Sequence, residues 1–187
     1  MAVRPICITG DPVLHNPAKD VEEIDDEIRQ IVEDMYETMD EAPGVGLAAP
    51  QIGLDLNIFV YDHEYEGERL RGVAINPSLE LGQISNELPD PDTEVEGCLS
   101  IPGERYPLKR AGWAKLSALD IEGKPYTLEV EGWMARIFQH EFDHLQGILY
   151  ADRLIEPYAQ EVQGVIAELG WGEPGLAWMP GEDYLEP

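Results

Sequence analysis

Residues 140–144 read His140-Glu141-Phe142-Asp143-His144, inside the run 133–149, WMARIFQHEFDHLQGIL. Met134, Phe138, Phe142, Leu145 and Leu149 recur at helical spacing, and only Arg136, Glu141 and Asp143 carry charge there. The pattern predicts a helix over 133–149, opened by Gly132. At about 100° per residue, His144 lies about 40° round from His140, with Glu141 beside both. Two imidazoles on one face can grip a single metal ion, and a neighbouring carboxylate can handle the protons of a bound water. A helix that is apolar nearly all round is a buried one. Two histidines and a glutamate buried there need partners. A metal supplies them; a pair of core histidines bonded to backbone is the competing reading.

A catalytic site of this kind needs a third ligand. In one class of zinc protease a third His follows the motif, but Tyr150 occupies that position here. Another class uses a downstream carboxylate, for which Glu161 and Glu168 are available. Both belong to an amphipathic stretch near 157–169 that reads as a solvated helix. Upstream, Cys98 stands in Glu96-Gly97-Cys98-Leu99-Ser100. A metal would bind it as the thiolate. Two His, one Cys and an open fourth position make a catalytic rather than a closed structural arrangement. Asp143, three residues from His140, is a candidate to fix that ring by taking its second N–H.

The rest of the chain frames this helix. Its 187 residues suit one domain able to bury its own core. Ile24, Ile28, Ile31, Met35 and Met39 predict an amphipathic helix over 24–40, ended by Pro43-Gly44. Short strands are expected at 57–62 and 71–76, a loop at 85–93, and a hairpin from 113–121 and 125–130. The expected fold class is α+β, with antiparallel sheets packed around a central helix that carries the metal motif. Residues 1–170 read as a single catalytic domain. Residues 171–187 read as an acidic tail, either part of that domain or loosely ordered, with Trp171, Leu176 and Trp178 able to pack back on the body.

The 38 acids outnumber 12 Lys and Arg, for a net charge of −26. Phosphate binding needs clustered basic residues, so direct nucleic-acid binding is not expected. Apolar runs fall short of the ~20 residues of a membrane span. The opening MAVRPICITGDP has no secretory apolar region. A cytoplasmic protein is therefore expected. Two cysteines cannot form a disulfide framework.

A third segment, Gly44-Val45-Gly46-Leu47-Ala48-Ala49-Pro50-Gln51, stands upstream. With the segments around Cys98 and His140, in this order and spacing, the chain resembles the peptide deformylases over about residues 4–155. The resemblance implies a hydrolase that removes the formyl group from N-formylmethionine of newly synthesised polypeptides and releases formate. It implies that Cys98, His140 and His144 bind one divalent ion, Fe(II) in the cell and replaceable by Zn, Ni or Co. It makes Glu141 the proton shuttle, and Gln51 with the backbone N–H of Leu99 the donors to the oxyanion. Gly44, Val45, Gly46 and Gly97 would border an added substrate strand. Val45, Leu99, Trp133 and Ile137 would surround the methionine side chain, with Arg136 at the mouth and Arg105 further out. The implied partners are N-formylmethionyl nascent peptides. Ribosome proximity is compatible with this, but residues 155–187 contain no Lys or Arg and so no basic docking helix. A monomer is expected. A metallopeptidase and a non-catalytic metal-binding protein of the same fold are the competing readings.

Overall fold

The computed structural model describes residues 2–183 and 185. In chain order its elements are β1 (Ile6–Cys7), α1 (Asp26–Glu41), β2 (Gly46–Ala48), β3 (Ile58–Tyr65), β4 (Glu68–Leu81), β5 (Val95–Cys98), β6 (Ile101–Pro107), β7 (Trp113–Leu119), β8 (Pro125–Glu131), α2 (Gly132–Leu145), α3 (Tyr158–Glu168) and β9 (Ala177–Trp178). Strands β2-β3-β4-β7-β8 form one antiparallel sheet in that order, while β5 with β6 and β1 with β9 form two-stranded pairs. This is the expected α+β arrangement.

The two-residue period of β3 decides what covers each face of the large sheet. Ile58 and Val60 join Ile31, Met35 and Met39 of α1 in one core. Phe59 and Tyr61 join Met134, Ile137 and Phe138 of α2 in the other. The Phe138 ring meets Tyr61 edge-on at 5.0 Å and Phe59 at 6.0 Å. The metal-motif helix is thus pinned against the sheet by its aromatic side.

Element ends differ from expectation for local reasons. Helix α1 begins at Asp26, because the Asp25 carboxylate accepts the N–H of Ile28 as an N-cap. Helix α2 stops at Leu145 rather than 149. Gly147 has φ +73°, and a Cβ there would fall 2.7 Å from the backbone of Asn16. Strand β4 runs past Asn76-Pro77 through a bulge between Ile75 and Ser78. There the Asn76 amide bonds both N–H and C=O of Val21. Strand pair β5–β6 was absent from the sequence reading, because Pro102, Gly103 and Pro107 are poor strand formers. Trp171 and Leu176 pack against the α1 core, and Trp178 lies within it. No helix among the described residues is long and apolar enough to cross a membrane.

Candidate metal centre

Helix α2 places His140 and His144 one turn apart, with Nε2 atoms 3.2 Å from each other. The β5–β6 hairpin brings Cys98 across from them, its Sγ 3.3 Å from His144 Nε2. All three ligand atoms lie within 4.8 Å of one another. Donor atoms this close, two nitrogens and a sulfur, fit one divalent ion.

The ring of His140 is set by a carboxylate, though not the expected one. Its Nδ1 lies 2.7 Å from Glu96 Oε1. Burial opposes the charge on Glu96, but His140 and the Arg110 guanidinium outweigh it and hold its carboxyl well below the usual range. An ionised Glu96 can only accept, so His140 donates from Nδ1 and turns the lone pair of Nε2 toward Cys98 and His144. Arg110 and Arg136 also bond Glu96, at 2.6 and 2.9 Å. Asp143 points elsewhere. It is buried between Arg110 and Arg153, each at 2.5 Å, and ties α2 to the chain after it instead of orienting His140. Sequence reasoning missed Glu96 and Arg110 as parts of the site. Glu96 lies two residues before Cys98, and that proximity was the only available signal.

Charge on the two rings diverges. In the metal-free chain, burial opposes protonation of His140, but the Cys98 sulfur and Glu96 overcome it and raise its pKa well above the ordinary value; a bound ion would take the place of that proton on Nε2. His144 is held well below, by burial first and then by His140 and Arg110. Its Nδ1 is buried without a hydrogen-bond partner among the described residues.

A cavity of about 270 Å³ opens onto this centre. Gly44, Val45, Gly46 and Gln51 line it, together with Gly97, Cys98, Leu99 and Arg105 of the β5–β6 hairpin. Trp133, Arg136, Ile137, His140 and Glu141 of α2 close the floor and end. The cavity thus gathers every residue singled out for catalysis or substrate contact. His144, 1% exposed, is not part of the lining. Trp133 is 42% exposed at the rim, whereas Arg136 is a wall residue whose Nη1 bonds Glu96 and the Leu108 carbonyl. Ala42, Pro43, Val95 and Glu96 complete the lining and were not foreseen.

Two side chains face the reacting position. Gln51 accepts the N–H of Ala48 on Oε1 at 2.8 Å, which leaves its Nε2 directed at Ser100 Oγ, 3.5 Å away, and Cys98 Sγ, 3.9 Å away. Glu141 is buried, and its Oε2 has no hydrogen-bond partner among the described residues. Burial pushes its carboxyl up to about 7. A carboxyl near that value can both take and return a proton close to neutral pH. The other third-ligand positions do not reach the centre. Tyr150 donates its hydroxyl to the Glu104 carbonyl, and Glu161 and Glu168 are exposed on α3.

Residues 3–160 match the family model described as polypeptide deformylase. A peptide deformylase of Mycolicibacterium paratuberculosis is 51% identical over 190 residues, covering 97% of this chain and 96% of that protein. The crystal structure of peptide deformylase from Thermus thermophilus superposes with a TM-score of 0.76 at 42% identity, over 89% of this chain and 94% of that one. A peptide deformylase from Synechococcus elongatus in complex with actinonin gives 0.76 at 36% identity, over 91% and 90%. The chain belongs to the polypeptide deformylase family.

Proposed function

We propose that this chain removes the N-terminal formyl group from formylmethionine of newly synthesised polypeptides, with Cys98, His140 and His144 as its metal ligands. The observation that carries the reading is the convergence of one sulfur and two imidazole nitrogens beneath a cavity that also receives Glu141 and Gln51. A divalent ion held there supplies Lewis acidity and lowers the pKa of water toward ~7. We read that ion as Fe(II) in the cell and as Zn, Ni or Co in some preparations.

The protein's own groups do the remaining work. An extended peptide fits between β2, an edge strand of the large sheet, and β5. Gly44, Val45, Gly46 and Gly97 leave room for its backbone, and Arg105 holds it further out. Main-chain pairing of this kind is indifferent to side chains, as action on many N-termini requires. The methionine side chain lies against Val45, Leu99, Trp133 and Ile137, with Arg136 fixed in the wall. Gln51 Nε2 and the Leu99 N–H donate to the formyl oxygen as it gains charge. Glu141 Oε2 takes a proton from the attacking water and returns it to the departing amine. The tail without Lys or Arg suits a monomer in the cytoplasm that meets nascent chains by diffusion.

Formate release from a short formyl-methionyl peptide tests the reading. The protein is prepared without oxygen, and the Fe, Ni and Zn forms are compared. Turnover is expected in the wild type, with loss in Glu141→Ala while the metal stays bound. Absence of formate from every metal-loaded form would remove the reading. Cleavage of a peptide bond without formate release would favour a metallopeptidase instead.

A further inference from the structure

The β5–β6 hairpin turns through Leu99 and Ser100, directly after Cys98. Both carbonyls of this turn are held from outside the hairpin. Ser100 O accepts the N–H of Thr9 at 2.8 Å, and Leu99 O accepts the indole Nε1–H of Trp178 at 2.8 Å. Trp178 is 3% exposed, and its strand β9 pairs with β1 at Ile6 and Cys7. The backbone following β1 adds Ile8 N–H to Leu176 O, while Gly172 N–H donates to Thr9 O. Residues 6–9 and 172–178 therefore meet beneath the turn that follows Cys98. The Leu99 side chain also abuts Gly44 across the cavity.

We propose that Trp178 is a positioning residue for the hydrolysis. By holding the Leu99 carbonyl it fixes the peptide on one side of Leu99 Cα, and so constrains the adjoining Cys98–Leu99 peptide whose N–H serves the oxyanion. The residue lies in the 171–187 segment, outside the three sequence motifs. The inference rests on the assignment of the Leu99 N–H as an oxyanion donor. Donor placement acts on the transition state more than on substrate binding, so displacement appears in kcat rather than KM.

The test compares Trp178→Phe, which keeps a ring but deletes the N–H, with Leu176→Ala, which weakens packing in the same segment. Kinetics are read in the cold, at equal metal content, alongside thermal unfolding of both variants. W178F is expected to lose kcat by about tenfold with KM within about twofold. L176A is expected to lose thermal stability and keep its kcat. In metal-free wild type, the Trp178 indole N–H is expected to exchange with solvent slowly and that of the exposed Trp133 quickly. Unchanged kcat in W178F, a kcat loss in L176A that tracks its stability, or fast exchange at Trp178 would each overturn the role. Gln51→Leu separates the two levels. If it lowers kcat by about 10²–10³-fold while W178F is silent, the oxyanion assignment stands and the role of Trp178 falls. If Gln51→Leu is silent, both fall.

Discussion

Gly46 has no room for a side chain, and what excludes one is Glu141. A Cβ built at Gly46 would lie 2.7 Å from Glu141 Cδ and 2.8 Å from Cγ. Its neighbours in β2, Leu47 and Ala48, are fully buried, so the strand cannot retreat. Gly46→Ala must therefore displace the carboxyl group, and a shift of about 1 Å in a reacting group can cost about 10²-fold. Deformylation is expected to fall by at least that factor, with metal content retained. Near-normal turnover would show that Glu141 tolerates displacement and is not the proton carrier. At this scale the sequence was informative wherever chemistry repeats in a local spacing, as in the His140–His144 pair. It was least informative for the charge network. Glu96 and Asp143 are both acids beside motif residues, and only folding brings Arg110 between them. The nearer acid in sequence, Asp143, was for that reason the wrong choice to orient His140.

Helix α1 anchors the N-terminal stretch through one carboxylate. Asp34 accepts from Arg4 Nε at 2.9 Å, from the Ala2 N–H at 2.9 Å and from Gln30 Nε2 at 2.9 Å. One turn later, Thr38 accepts the Arg4 N–H. Burial opposes the charge on Asp34, but Arg4, Gln30 and the Ala2 amide outweigh it and hold its pKa below the ordinary carboxylate value. The folded state therefore binds this proton less readily than the unfolded chain. Its stabilisation is complete above the ordinary carboxylate value and is lost as pH falls through the lower folded one. Asp34→Asn is expected to cost about 1–2 kcal/mol near neutral pH. The gap from wild type should narrow as urea titrations are repeated from about pH 7 down to about pH 3. A gap independent of pH would mean that the side chain acts by packing alone. Helices α1 and α2 and the hairpin strands β7 and β8 were legible because burial imposes their period, and β3 because its apolar run is buried on both faces. Strands β1, β2, β5, β6 and β9 were not, because they are short or interrupted by Pro and Gly and are held by pairing across the fold.

Across the whole molecule, charge opposes compaction. With 38 acids against 12 Lys and Arg, the net charge is −26. Many of those cations already have partners: Arg110 with Glu96 and Asp143, Arg71 with Asp40 and Asp62, Lys109 with Glu94. Few cations remain to offset the exposed carboxylates, including those of Glu22, Glu23, Glu27 and Glu168. Such a surface repels itself over distances that salt shortens, from a Debye length of about 10 Å at ~0.1 M to about 3 Å at ~1 M. The buried pairs around Glu96 and Asp143 are shielded from solvent and respond much less. Salt should therefore remove more repulsion than attraction. Thermal unfolding in KCl is expected to shift upward by several degrees between ~0.1 M and ~1 M. A weakly salting-out anion is needed, because sulfate would raise stability by exclusion from any protein surface. The opposite result, a fall in Tm with KCl, would place the balance with the ion pairs and make the acidic surface electrostatically neutral toward folding.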